Sequence, residues 1–179
     1  MKGTIMKPNY FFLCSALLLL FFISACQTPQ TEDPSIKQNK EIAAKLIDVF
    51  DKGDIVALDT LLTDDVVDHQ LDTMFIKKTG KEGVKEMFAY FDKAVTGKKT
   101  TIHSMAVSGD TVMIYSTTVG TWADTLMDMP PTNKEIKFPG VDIVRISDGK
   151  VAEHWGFMDM AAMAQFMPPP MDKGKMKKK

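Results

Sequence analysis

The sequence predicts an α+β domain, and three observations carry that expectation. Segments of helical period come first, within residues 40–62 and 79–95. Segments of period two, rich in β-branched residues, follow over 101–121, 136–146 and 151–157. Hairpin signals at Ser108-Gly109-Asp110 and Ser147-Asp148-Gly149-Lys150 join successive strands with no helix between them. Helices gathered ahead of an antiparallel sheet indicate α+β order rather than alternating α/β order.

The elements follow in sequence. Ile42, Leu46, Val49 and Phe50 recur on one helical face, with charged residues on the other, and Gly53 stops this helix. Ile55 to Leu62 is a shorter helix with Leu58, Leu61 and Leu62 as its apolar side. Asp64 to Gln70 reads as a short extended segment that delivers polar side chains inward. Thr79 and Glu82 have the spacing of a capping box. Val84, Met87, Phe88, Phe91 and Val95 then line one face of the best-defined helix, which Gly97 ends. Thr101–Val107 and Thr111–Thr121 form the first two long strands. Trp122 to Asn133 is a loop with two prolines, either a cover for a pocket mouth or a plain connection. Ile136–Ile146 and Val151–Phe157 are the next strands. A last helix, Asp159 to Phe166, is capped by Asp159.

The ends of the chain have other characters. Lys2 and Lys7 precede an almost wholly apolar run from Phe11 to Ile23, and Ser24-Ala25 then stand before Cys26. That order matches a secretory signal. Residues 26–35 carry little to bury and read as a flexible tether. Residues 36–167 suit one domain, and 168–179 are a Pro- and Lys-rich tail. The two cysteines, Cys14 and Cys26, both lie in the export segment, so the domain has no disulfide, thiol nucleophile or Cys-ligated metal. A net charge of −1 gives no footprint for nucleic acid. No internal repeat, Gly-rich phosphate loop or HExxH motif is present.

Three stretches carry a family resemblance. They are Val67-Asp68-His69-Gln70, Met129-Pro130-Pro131-Thr132, and Asp142-x-x-Arg145 leading through Asp148-Gly149-Lys150-Val151 to Glu153-His154-Trp155. Over about residues 36–167 the chain resembles the SnoaL-like polyketide cyclases of the NTF2-like superfamily. The resemblance implies a cone-shaped barrel, a curved antiparallel sheet on N-terminal helices around an apolar pocket, in proteins that are often dimers or larger. Cyclases of the family close a ring by intramolecular aldol chemistry with an aspartate on the last strand. Here Gly156 stands at that position, and Asp142 stands where those cyclases hold a histidine. The region around Cys26 similarly resembles the bacterial lipobox, which implies a lipid on Cys26 and a place in the cell envelope. In enteric lipoproteins an aspartate directly after the cysteine retains the protein at the inner membrane. Gln27 stands there instead, which favours the outer membrane.

The length of the turn at Asp148-Gly149 decides which side chains meet. A two-residue turn sets Asp142 opposite Trp155. A three-residue turn with Gly149 in a bulge sets it opposite His154. The family's pocket positions require the second. Asp142, Val144, Ala152, His154 and Gly156 then share the inner face. Ile143, Arg145, Val151, Glu153 and Trp155 share the outer one, with Arg145 and Glu153 pairing diagonally. Asp142 and His154 form an acid/base pair in principle. They equally form a mutually satisfied buried pair or a ligand-orienting one. His69 offers a second proton donor, and Asp68, Phe91, Tyr115 and Trp122 are candidate ligand contacts. A two-His, one-carboxylate metal set of His69, His154 and Asp142 has no support from spacing. Met158, Met160, Met163 and Met167 read as core or lid packing. No cofactor or metal is expected. The expected function is a lipid-anchored domain binding a small apolar or carbonyl-containing molecule. The alternatives are a cyclase-, isomerase- or dehydratase-type enzyme using Asp142 and His154, and an envelope interaction protein with a vestigial pocket.

Overall fold

The computed structural model describes residues 33–70, 75–126 and 128–164, with Met160 and Met163 described in their backbone alone. The export segment, Cys26, most of the tether, Phe166, Met167, and the tail from 168 to 179 lie outside these residues. Helix α1, Pro34–Lys52, starts inside the stretch expected as a tether, because Asp33 accepts the Ser35 N–H and Pro34 is preset for the first turn. Gly53 closes α1 with φ 65°, as its position implied. A 3-10 turn, Ile55–Ala57, leads into the single-turn helix α2, Leu58–Leu61. Strand β1, Leu62–Asp68, follows without a break.

Helix α3 spans Gly80–Ala94, and two expectations change here. Thr79 is its N-cap by position, but its side chain makes no capping bond, and Glu82 pairs with Lys78 and Lys85 instead. The helix ends at Ala94 rather than at Gly97, since Val95 turns extended and pairs with Trp122. Val95 is buried in a small core with Ala94, Trp122, Leu126 and Ile136, which draws it into the sheet. Strands β2 (Val95–Ser108), β3 (Thr111–Trp122), β4 (Glu135–Ser147) and β5 (Lys150–Met158) form consecutive hairpins, and α4, Met160–Ala164, is capped by Asp159 Oδ1.

The sheet order is β1-β5-β4-β3-β2, antiparallel except for the parallel pair β1-β5. Register shifts in β2 between Thr96 and Lys99 and between Ile102 and Ser104 help it to bend. The main core lies between the sheet and the helices, where Leu46, Leu58, Val84 and Phe88 meet Ile114, Val144 and Val151. The result is the expected α+β architecture, helices packed on a curved five-stranded sheet.

Candidate functional site

The β4-β5 hairpin corrects the expected turn and explains why its consequence survives. Ser147 pairs with Lys150, so the turn is the two-residue Asp148-Gly149. Both central residues have positive φ, 51° and 73°, the pattern of a type I′ turn. One strand position later the register slips between Arg145 and Ile146, and Ala152 is the unpaired residue of a bulge. Beyond it Val144 pairs with His154 and Asp142 with Gly156. Asp142 and His154 are therefore diagonal neighbours on the inner face rather than direct partners. The two-residue turn also pairs Val151, expected outside, with Ile146 and brings it into the core. Arg145 and Glu153 pair directly rather than diagonally, with Nε–Oε1 2.6 Å.

Strand β1 supplies the third member of the site. Val66 is buried, Val67 is exposed and Asp68 is buried, so alternation sends Asp68 inward. The parallel pairing places Asp68 beside His154. His154 Nδ1 lies 3.0 Å from Asp68 Oδ2, and Nε2 lies 3.3 Å from Asp142 Oδ1. Each carboxylate accepts, so both ring nitrogens donate and the ring is an imidazolium. Burial alone would lower its pKa. Hydrogen bonds to Asp142 and Asp68, with their charges, outweigh burial and raise it from 6.5 to about 9. The Asp68 side chain is 1% exposed and the Asp142 side chain 28%, so Asp142 is the member open to the pocket.

The pocket is a cavity of about 140 Å3 between α1, α3 and the inner face of the sheet. Leu46, Phe50, Val84, Phe88, Phe91 and Phe138 form much of its apolar wall. Asp68, Asp142, His154 and the Gln70 amide supply polar groups on the β1-β5-β4 side. Lys98, Thr100, Ser116 and Thr118 do so on β2 and β3. Lys98 is paired with Asp92 and lies 5.3 Å from the Phe50 ring centroid, so that cation is already balanced.

Several expected residues lie elsewhere. His69 follows Asp68 in the alternation and points to the outer face. There it stacks on Trp155 at 4.4 Å and approaches Glu153 Oε2 at 3.1 Å. It is not a second donor in the pocket, and it cannot share a metal with His154. The His69 and Arg145 hydrogen bonds hold the Glu153 carboxyl below its ordinary pKa. Tyr115 is half-exposed on the outer face against His103. Trp122 is buried in the small core, with Nε1 donating to the Asp124 carbonyl at 2.7 Å. The loop after it packs Leu126 and Met129 onto that same core, and none of its described residues lines the pocket. Phe91, Asp68 and Met158 do line it. Gln70 and Lys98 were not singled out from sequence. For Gln70 the signal was available, because it lies two residues beyond the inward-facing Asp68.

The model of the SnoaL-like polyketide cyclase family matches residues 40–166. No curated protein matches. A candidate SnoaL-like polyketide cyclase from Jannaschia sp. CCS1 superposes with TM-score 0.67 at 19% identity, covering 79% of this chain and 99% of that one. IdmH, a candidate polyketide cyclase from Streptomyces antibioticus, gives 0.61 at 24% identity, covering 72% and 96%. A candidate polyketide cyclase from Bacillus cereus gives 0.60 at 26% identity, covering 72% and 78%.

Proposed function

This chain belongs to the SnoaL-like polyketide cyclase family, and from that premise we propose that its pocket takes a small, largely apolar molecule bearing a carbonyl group. The observation that carries this reading is the Asp68–His154–Asp142 chain opening into a mostly apolar cavity. An apolar cavity of about 150 Å3 is large enough for a benzene ring, so the ligand's body is of that order. Its carbonyl end lies on the polar side of the cavity, among Gln70, Asp142 and His154.

The same contact favours a second reading, proton transfer at the carbon beside that carbonyl. The Asp142 carboxylate accepts the proton, the C–H electron pair moves into the enolate, and the proton returns to carbon or oxygen from Asp142. His154 is positioned to hold Asp142 by hydrogen bond and charge, while Asp68 holds His154. We further propose that the domain is anchored in the bacterial envelope by a lipid on Cys26. The small residues before that cysteine and the apolar run preceding it support this.

Acetophenone in deuterated water tests the two pocket readings. Proton transfer requires deuterium uptake into its methyl group above the buffer rate, lowered by about a hundredfold or more in Asp142→Asn. Saturable binding with uptake at the buffer rate makes the domain a plain binder. Absence of any binding leaves a vestigial pocket.

A further inference from the structure

Gly156 leaves space that another residue fills. A Cβ at this position would stand 2.1 Å from Gln70 Oε1, 2.5 Å from Cδ and 2.6 Å from Nε2. No side-chain carbon tolerates these distances, so the Gln70 amide occupies the place where any other residue at 156 would begin. Gly156 pairs directly with Asp142. Facing Cβ positions in such a pair are about 5 Å apart, so the amide sits close to the root of the Asp142 side chain.

Local chemistry delivers Gln70 there. Asp68 Oδ1 accepts the Gln70 backbone N–H at 2.8 Å, an Asx turn at the end of β1. The other oxygen of that carboxyl holds His154. One carboxyl thus fixes both the imidazole and the residue that reaches over Gly156.

The amide itself makes no hydrogen bond among the described residues, although it lines a largely apolar cavity. A primary amide has two N–H donors and one acceptor, and in the partly buried Gln70 these are free to meet a ligand in the cavity. The imidazolium gives both N–H groups to carboxylates, so the Asp68–His154–Asp142 chain presents the cavity with an acceptor only. A carbonyl oxygen entering beside Asp142 needs a donor, and Gln70 supplies one.

We propose that Gln70 determines the specificity of this pocket: its amide donates to the ligand's carbonyl oxygen, and Gly156 provides the clearance it requires. The assignment rests on the reading of the cavity as a site for carbonyl compounds. With the carbonyl oxygen on Gln70, the adjacent carbon faces Asp142.

Equilibrium dialysis of the full chain with acetophenone and with ethylbenzene tests this, because the pair differs in the carbonyl and little in shape. The readout is the ratio of the two affinities. In Gln70→Ala the amide is removed, and in Gly156→Ala the new methyl expels it. Both should lower the ratio by about threefold to tenfold, the worth of one hydrogen bond, with ethylbenzene binding nearly unchanged. Gln70→Met keeps the volume of the side chain and should behave as Gln70→Ala does, which covers the case of a poorly folded alanine variant. A ratio unchanged in the Gln70 variants or in Gly156→Ala overturns the assignment and leaves the pocket reading standing. No saturable binding of either compound to the unaltered chain overturns both.

Discussion

His154 shows how little of a residue's role resides in the residue. An isolated imidazole titrates near neutrality. Here burial opposes its charge, and two carboxylates more than offset that opposition, lifting the pKa from 6.5 to about 9. A raised folded-state pKa means the folded protein holds this proton more tightly than the unfolded chain does. The stabilisation is complete below pH 6.5 and is lost as pH rises towards and through about 9. The loss is on the order of 3 kcal/mol, since each tenfold gain in proton affinity is worth about 1.4 kcal/mol. Urea unfolding at both ends of this window should show it, and His154→Gln should flatten it. An equal slope in His154→Gln would assign the dependence to other groups. Asp142 and His154 were legible in the sequence as chemistry. The contact of His154 with Asp68 was not, since 86 residues separate them and only the β1-β5 pairing joins them.

The β4-β5 hairpin behaves likewise as an element. Asp-Gly between apolar arms announced a hairpin, and the turn is of the kind that dipeptide favours. The arms alone did not reveal the bulge at Ala152, because a bulge arises when two successive residues both gain by burial. Val151 and Ala152 are both buried, at 0% and 8% exposure. The regular alternation expected from a two-residue turn would have sent His154 to the outer face. The extra residue restores the inner one. Deleting Ala152 should therefore give a regular ladder, with Arg145 and Glu153 still paired and His154 still facing Asp142. The pH dependence of stability described above should persist in that variant. Its disappearance would mean that the bulge itself aims the imidazole. The end of α3 follows the same logic. Gly97 looked like a stop signal, but buried Val95 entered the sheet two residues earlier. Gly97, with φ 63°, lies within β2.

Across the complete fold, the parallel strand β1 beside β5 finishes the site. It brings Asp68 and Gln70 to the hairpin that carries Asp142, His154 and Gly156. The proposed anchor concerns the chain in its entirety. Metabolic labelling with an alkynyl palmitate analogue should mark the protein, and Cys26→Ser should remain unlabelled. Labelling that persists in Cys26→Ser would sink that proposal. Sequence alone sufficed for the α+β class, the strands of the hairpin, the apolar faces of α1 and α3, and the chemical identity of the Asp–His pair. Periodicity, turn residues and side-chain chemistry are local properties that short stretches carry on their own. Folding in three dimensions was needed to set His69, Tyr115 and Trp122 outside the pocket, to close Asp68 on His154, and to bring Gln70 into the space over Gly156. Those outcomes depend on strand pairing, on one extra residue in a ladder, and on which of several apolar side chains the two cores could bury together.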